Sequence, residues 1–173
     1  MHRLREGAGS VAAMAKGDSK DGTKLIAANR RARRDYDLTE TIEAGIMLVG
    51  SEVKSMREAQ VQIADGFVRF DNGEAYLLGT HVSPYLHAQE HSGHEPDRPR
   101  KLLLHRKEID RLKSLVDLER VSIVPLRLYF REGRVKVELG VGKGRKLHDK
   151  RHAVAERDAK REVQRALAQR QRE

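Results

Sequence analysis

Residues 126–141 read LRLYFREGRVKVELGV, in which Val135, Val137, Leu139 and Val141 alternate with Arg134, Lys136 and Glu138. A period of two sends successive side chains to opposite faces of a strand, so the apolar set points inward and the charged set outward. LRLYF supplies a second β-rich arm, and Glu132-Gly133 between the arms supplies the turn of a hairpin. The chain is thereby committed to an antiparallel sheet.

Working upstream, RKLLLHRKEIDRLKSLVDLE (residues 100–119) places Ile109, Leu112, Leu115 and Val116 at helical spacing and predicts one amphipathic helix. SPYLHAQEHSGHEPDRPR (residues 83–100) carries Pro84, Gly93, Pro96 and Pro99 and is expected to be largely loop. GFVRFDNGEAYLLG (residues 66–79) is a second hairpin, with Asn72-Gly73 offering the two positive-φ positions of a type I′ turn. SEVKSMREA, from Ser51, reads as a short helix with a Ser cap and with Val53 and Met56 on one side. Before it, Tyr36, Leu38, Ile42, Ala44, Ile46 and Leu48 share one parity of a half-buried strand, and Glu43 falls on the polar parity. At least five antiparallel strands with two to three helices make the fold mainly β. A small antiparallel OB-like β-barrel is the economical architecture.

The 173 residues suffice for one domain with a real core and solvated extensions. Residues 24–142 are expected to form the barrel, residues 1–23 a disordered N-terminal extension in which Met14 is a plausible translation start, and residues 143–173 a basic C-terminal tail. The formal net charge is +9, and from Gly140 onward eleven Lys/Arg face five Asp/Glu, so most of the excess is terminal. That asymmetry points to a polyanionic partner. The tail, which opens KGRKLHDKRHAVAERDAKRE at Lys143, carries over its length only a thin stripe of Ala155, Ala159, Val163, Ala166 and Leu167, too little to hold a helix alone. It is expected to be disordered when free and helical when bound. Cys is absent, which removes disulfides and thiolate chemistry and makes a reducing cytoplasm the simplest compartment. No apolar run approaches the roughly 20 residues of a membrane span.

Three motifs compete for a function. HAQEH (residues 87–91) matches the H-x-x-E-H signature of inverted zinc peptidases, which would make His87, Glu90 and His91 a hydrolase site. That chemistry needs both imidazoles on one helical face, whereas this match lies in a proline-broken loop, so a solvated loop is the preferred reading and no metal is expected. DGFVRF (residues 65–70) is similar to the aromatic strand with which RNA-recognition domains stack bases. Phe67 and Phe70 lie on opposite parities, which favours a core role for them. GVGKGRK lacks the Lys-Ser/Thr and the βα context of a phosphate cradle and reads as a flexible junction. No nucleophile with a base beside it is legible, so no enzyme and no cofactor are expected. The positive signal is distributed: Arg30, Arg31, Arg33 and Arg34 at one place and Lys143, Arg145, Lys146, Lys150 and Arg151 at another can each meet phosphates. RNA is favoured over DNA because barrels of this kind grip single strands and irregular loops.

NRRARRDY, EAGIMLVGSEVKSMREA, RKLLLHRKEI, VPLRLYFREGRVKVELGVGKGRKLHDKR and ERDAKRE together resemble the small protein B (SmpB) family, the tmRNA-binding proteins of bacterial trans-translation. The resemblance implies an OB-like barrel that binds the transfer-like part of tmRNA and delivers it to stalled ribosomes. It implies that Asn29, Tyr36, Glu43 and Leu103 belong with the arginine cluster to the tmRNA-facing surface; Leu103 keeps a core alternative. It further implies that Lys143, Arg145, Lys146, His148, Asp149, Lys150 and Arg151 probe small-subunit rRNA at the decoding centre and the empty mRNA channel. Through tmRNA, elongation factor Tu and alanyl-tRNA synthetase join the implied partners. A generic structured-RNA or ribosome-associated OB protein remains the alternative reading.

Overall fold

The computed structural model describes residues 22–85, 93–146 and 158–165. The hairpin of residues 126–141 is its spine. Strand β8 (Ser122–Arg131) and strand β9 (Arg134–Gly144) pair antiparallel, and Glu132 and Gly133 turn between them at φ 51° and 74°. Val137 and Leu139 are fully buried, as the alternation requires. On the other side of β9 lies β2 (Tyr36–Ile46), the long half-buried strand, and on the other side of β8 lies β1 (Thr23–Ala28). The second expected hairpin is β4 (Phe67–Asp71) with β5 (Glu74–Leu78), turned by Asn72 and Gly73 at φ 46° and 74°.

The residues expected to open the helix at 100–119 instead split between two elements. Strand β7 (Arg100–Leu103) comes first and helix α3 (Arg106–Glu119) follows, started where the Glu108 carboxylate accepts from the His105 N–H at 2.8 Å. β7 bridges β2 and β5, which gives a seven-stranded antiparallel sheet in the order β1-β8-β9-β2-β7-β5-β4. Two residues each from β3 (Val61–Gln62) and β6 (His81–Val82) form a small second sheet. The large sheet curls until β4 lies against β8, making the expected OB-like barrel. At that seam Gly66 meets Pro125, and a Cβ on Gly66 would stand 2.6 Å from the proline Cγ. Only glycine fits there.

Inside sit Leu77, Leu102, Ile123, Leu128, Val137 and Leu139, with Met56 from α2 (Gly50–Arg57) and Leu112 from α3. Ile109 and Leu112 are the buried part of the expected helical stripe, while Leu115 and Val116 are half-buried against the same core. Ser51 does not cap α2. The Glu52 carboxylate accepts the Val49 N–H at 2.9 Å, and the Ser51 hydroxyl is bonded to His94 Nδ1 at 2.9 Å. GVGKG is strand rather than flexible junction: Gly142 pairs with Leu38 and Gly144 with Tyr36, and a Cβ at Gly142 would collide with the Asp37 carbonyl oxygen. The barrel thus runs past residue 142 and takes Lys143 from the expected tail. His87, Glu90 and His91, the residues before 22, and His148 through Arg151 lie outside the described residues. Within 158–165 the chain is helical with every side chain exposed.

Loop 93–99 is held down by charge. Glu52 and Arg100 are both fully buried, and Glu52 receives Arg100 Nε at 2.8 Å and Arg98 Nη2 at 2.6 Å. Arg100 spends its remaining donors on the Thr80, Arg98 and Pro96 carbonyls. Burial pushes the Glu52 carboxyl up, but the bonds from Arg98 and Val49 and the charges of Arg100 and Arg98 outweigh it, leaving it below the usual 4.5. A folded value below the unfolded one gives stability that is present above pH 4.5 and lost as pH falls through the folded value. Glu52→Gln should therefore cost about 3–5 kcal/mol at neutral pH, because Arg100 is left buried without its counter-charge. Urea melts at pH 7 and pH 4 check this: the wild type should lose stability between them, and the variant should lose less.

Candidate nucleic-acid interface

The expected site residues of the barrel fall into two groups, one at the start of β2 and one toward its far end. The first is built on a single helical turn, α1 (Ala32–Asp35). Asn29 precedes it and is buried at 8% exposure; its Oδ1 accepts the N–H groups of Arg31 and Ala32 at 3.2 and 3.1 Å. Its Nδ2 donates to the Pro125 carbonyl at 3.1 Å and the Ala64 carbonyl at 3.4 Å. These four bonds are all internal, so the Asn29 amide positions the turn. Ala32 is the anchor below, sunk among Val124 and Leu126 with Tyr36 and Leu38 packed around. With the turn pinned at both points, Arg30, Arg31 and Arg33 are held out in solvent. Arg34 is half-turned inward onto Asp35 at 3.1 Å.

Two cations expected in the tail join this group. Lys143 pairs across the ladder with Asp37, and the Arg145 N–H donates to the Asp35 carbonyl at 2.8 Å. Arg145 Nη2 also reaches Asp37 Oδ1 at 3.5 Å. Lys146 is exposed just beyond. The turn, Lys143 and Arg145 are therefore one basic end of the barrel, a concentration of positive charge suited to a phosphate backbone.

Glu43 stands seven residues along β2 from Tyr36, roughly 20 Å away at about 3.3 Å per residue, and Leu103 lies on the neighbouring β7, opposite Gly45. They line a groove of about 480 Å³ with Lys101, His105 and Lys136. Leu103 is 52% exposed and so is not a core residue, while Leu102 beside it is the buried one. Glu43 is not a lone carboxylate. It accepts from the Tyr129 hydroxyl and from Arg131 Nη1 at 3.3 Å, with Lys136 Nζ at 3.7 Å. The Tyr129 bond is the largest pull and, with those two cations, holds the Glu43 carboxyl below 4.5 despite some desolvation. Burial, and then the Glu43 bond, push the Tyr129 phenol up to about 12, so it stays a donor across the working pH range. This face offers positive charge around a fixed acceptor.

Tyr129, Arg131 and Lys136 escaped the sequence reading as site residues, although their places on the polar parity of β8 and β9 could have indicated them. Phe67 was expected in the core and is 45% exposed; Phe70 is the one packed on the core. Among the described residues no group of three or more His, Cys, Asp or Glu could hold a metal ion, and both ring nitrogens of His94 are bonded, to Ser51 and to the Val82 carbonyl. No described helix is long and apolar enough to cross a membrane.

Two outcomes follow from this geometry. Tyr129→Phe removes the main downward pull on Glu43, so an NMR titration should show its carboxyl moving up toward 4.5. Asn29→Ala orphans buried carbonyls and should cost about 1–3 kcal/mol in a denaturant melt, with faster amide exchange at Arg31 and Ala32.

Comparison with known proteins accords with this arrangement. A family model described as SmpB protein matches residues 26–169. The SsrA-binding protein of Roseiflexus castenholzii is 49% identical over 159 residues, covering 92% of this chain and 99% of the relative. That of Chloroflexus aurantiacus is 50% identical over 143 residues, covering 83% and 89%. A solved chain described as "tmRNA-SmpB: a journey to the center of the bacterial ribosome" superposes with a TM-score of 0.60 at 44% identity, over 74% of this chain and 93% of its own. With a basic turn and a charged β face on an OB-like barrel, and with a match that runs through nearly its whole length, this chain belongs to the SmpB family.

Proposed function

We propose that the protein binds the transfer-like part of tmRNA and delivers it to stalled ribosomes for rescue by trans-translation, in the cytoplasm and without catalysing a reaction. The observation that carries this reading is the extent of the family match, residues 26–169, which takes in the barrel and most of the basic tail together. The surface is suited to the task. Arg30, Arg31, Arg33, Lys143 and Arg145 gather phosphate contacts at one end, Tyr36 sits beside them, and Glu43 with Leu103 supplies an acceptor and an apolar contact at the other. Tail residues Lys146, His148, Asp149, Lys150 and Arg151 are assigned to the decoding centre and the vacant mRNA channel. The outward-facing helix of residues 158–165 supports such an external partner.

Neutralising Arg33 and Arg34 should weaken binding to tmRNA and make its salt dependence shallower, since each lost phosphate contact releases fewer counterions. Replacing Asp149, Lys150 and Arg151 with alanine should leave tmRNA affinity intact and abolish peptide tagging on truncated messages. Equal wild-type affinity for tmRNA and for any duplex of matched length would refute the tmRNA assignment. A joint loss of binding and tagging in the tail variant would refute the separation of roles.

A further inference from the structure

A groove of about 480 Å³ opens beside the basic turn, between α1, the turn before β4 and the end of α3. Its floor is apolar, formed by Val121, Ile123 and Val124, all buried below it. Phe67 forms part of its wall. As the first residue of β4 it shares the outward parity with Arg69, so 45% of its surface stays in solvent while its neighbour Val68 turns inward. One rim carries Arg31 with Tyr36 and with Asp35, whose carboxylate lies 4.0 Å from Arg31 Nε and 3.1 Å from Arg34 Nε, and the other carries the exposed carboxylate of Asp65. An exposed aromatic ring beside an apolar floor suits a nucleobase, and a guanidinium on the rim of the same groove suits a phosphate.

We infer that this groove receives one unpaired nucleotide of the bound tmRNA, its base against Phe67 and its phosphate on Arg31. The inference rests on the tmRNA reading above, because Arg31 and Tyr36 belong both to the groove and to the basic end of the barrel, so RNA seated on that end runs past the opening. Charge fixes the orientation. Asp65 repels a phosphate, whereas Asp35 on the opposite rim is flanked by Arg31 and Arg34, which leaves that side for the backbone; the Asp65 carboxylate can accept from the amino group of adenine, cytosine or guanine. The volume lies within the usual range for a pocket that encloses a small molecule.

Phe67→Leu keeps apolar bulk and deletes the π-face, and Phe67→Trp enlarges the face. Against the transfer-like part of tmRNA, the leucine variant should bind about five- to a hundredfold more weakly, the range expected of one lost base stack, with an unchanged salt slope because no cation is removed. The tryptophan variant should bind at least as well as wild type. In the wild-type complex one unpaired nucleotide should be protected from chemical modification, and it should become reactive with Phe67→Leu. Wild-type affinity in the leucine variant, a loss in the tryptophan variant, or no protected unpaired base in the wild-type complex would each overturn the inference. So would a loss confined to ribosomes without tmRNA, which would make rRNA the source of the nucleotide. Wild-type protein that shows no preference for tmRNA would instead bring down the functional reading itself, an outcome visible before any variant is compared.

Discussion

The side-chain amide of Asn29 joins what the barrel is to what it does. Its two N–H donors tie the end of β1 to the Pro125 carbonyl in β8 and to the Ala64 carbonyl before β4, across the seam where the sheet curls on itself. Its oxygen accepts from Arg31 and Ala32 and so starts the turn that carries the arginines. A buried primary amide with both ends used is stable only where each partner stays in place, since an orphaned buried carbonyl costs more than the bond contributes. Barrel closure and the direction of the basic turn are therefore a single constraint. Exposed arginines elsewhere on the surface would carry the same charge but no fixed geometry.

The second group obeys a different economy. Three cations on adjacent strands, Arg127, Arg131 and Lys136, would repel, and the outer face of β8, β9 and β2 avoids this by alternating sign. Glu43 sits among Tyr129, Arg131 and Lys136, and Glu138 takes Arg127. Such exposed pairs contribute little to stability. Their value lies in order, because a carboxylate held by a phenol and flanked by two cations presents its remaining lone pairs in a set direction. An acceptor so placed can choose among ribose and base donors, and the surrounding cations keep the face attractive to phosphate.

Local chemistry made both hairpins legible: Asn72-Gly73 and Glu132-Gly133 announce their turns, and clean alternation announces their arms. β1 was illegible because a register shift between Leu25 and Ala27 puts Ile26 and Ala27 both inside and breaks the period of two. β7 is four residues long and runs into α3 after Leu104 and His105, so its apolar residues merge with the helical stripe. Glu52 looks like any first-turn acid; its partners Arg98 and Arg100 are 46 and 48 positions away and reach it only through the fold. The site shows the same limit. Its cations could be counted in the sequence, but Asn29 finds Pro125 across 96 residues and Glu43 finds Tyr129 across 86. A polar residue that will be buried and satisfied by distant carbonyls has no local signature.

The root of the tail follows from the same strand pairing. β9 does not release the chain at the edge of the core; Gly144 still faces Tyr36, and the Arg145 N–H is bonded to the Asp35 carbonyl. The chain therefore leaves the barrel from the basic end, beside the arginine turn, with its first free cation at Lys146. An RNA that settled on Arg31 and Arg33 would lie against the base of the tail, because one backbone hydrogen bond ties Arg145 to Asp35 at the end of the arginine turn. Had β9 ended at Gly142, three more residues of slack would separate the two surfaces. The glycine that permits the close crossing at residue 142 thus sets where the tail begins as well as how the barrel closes.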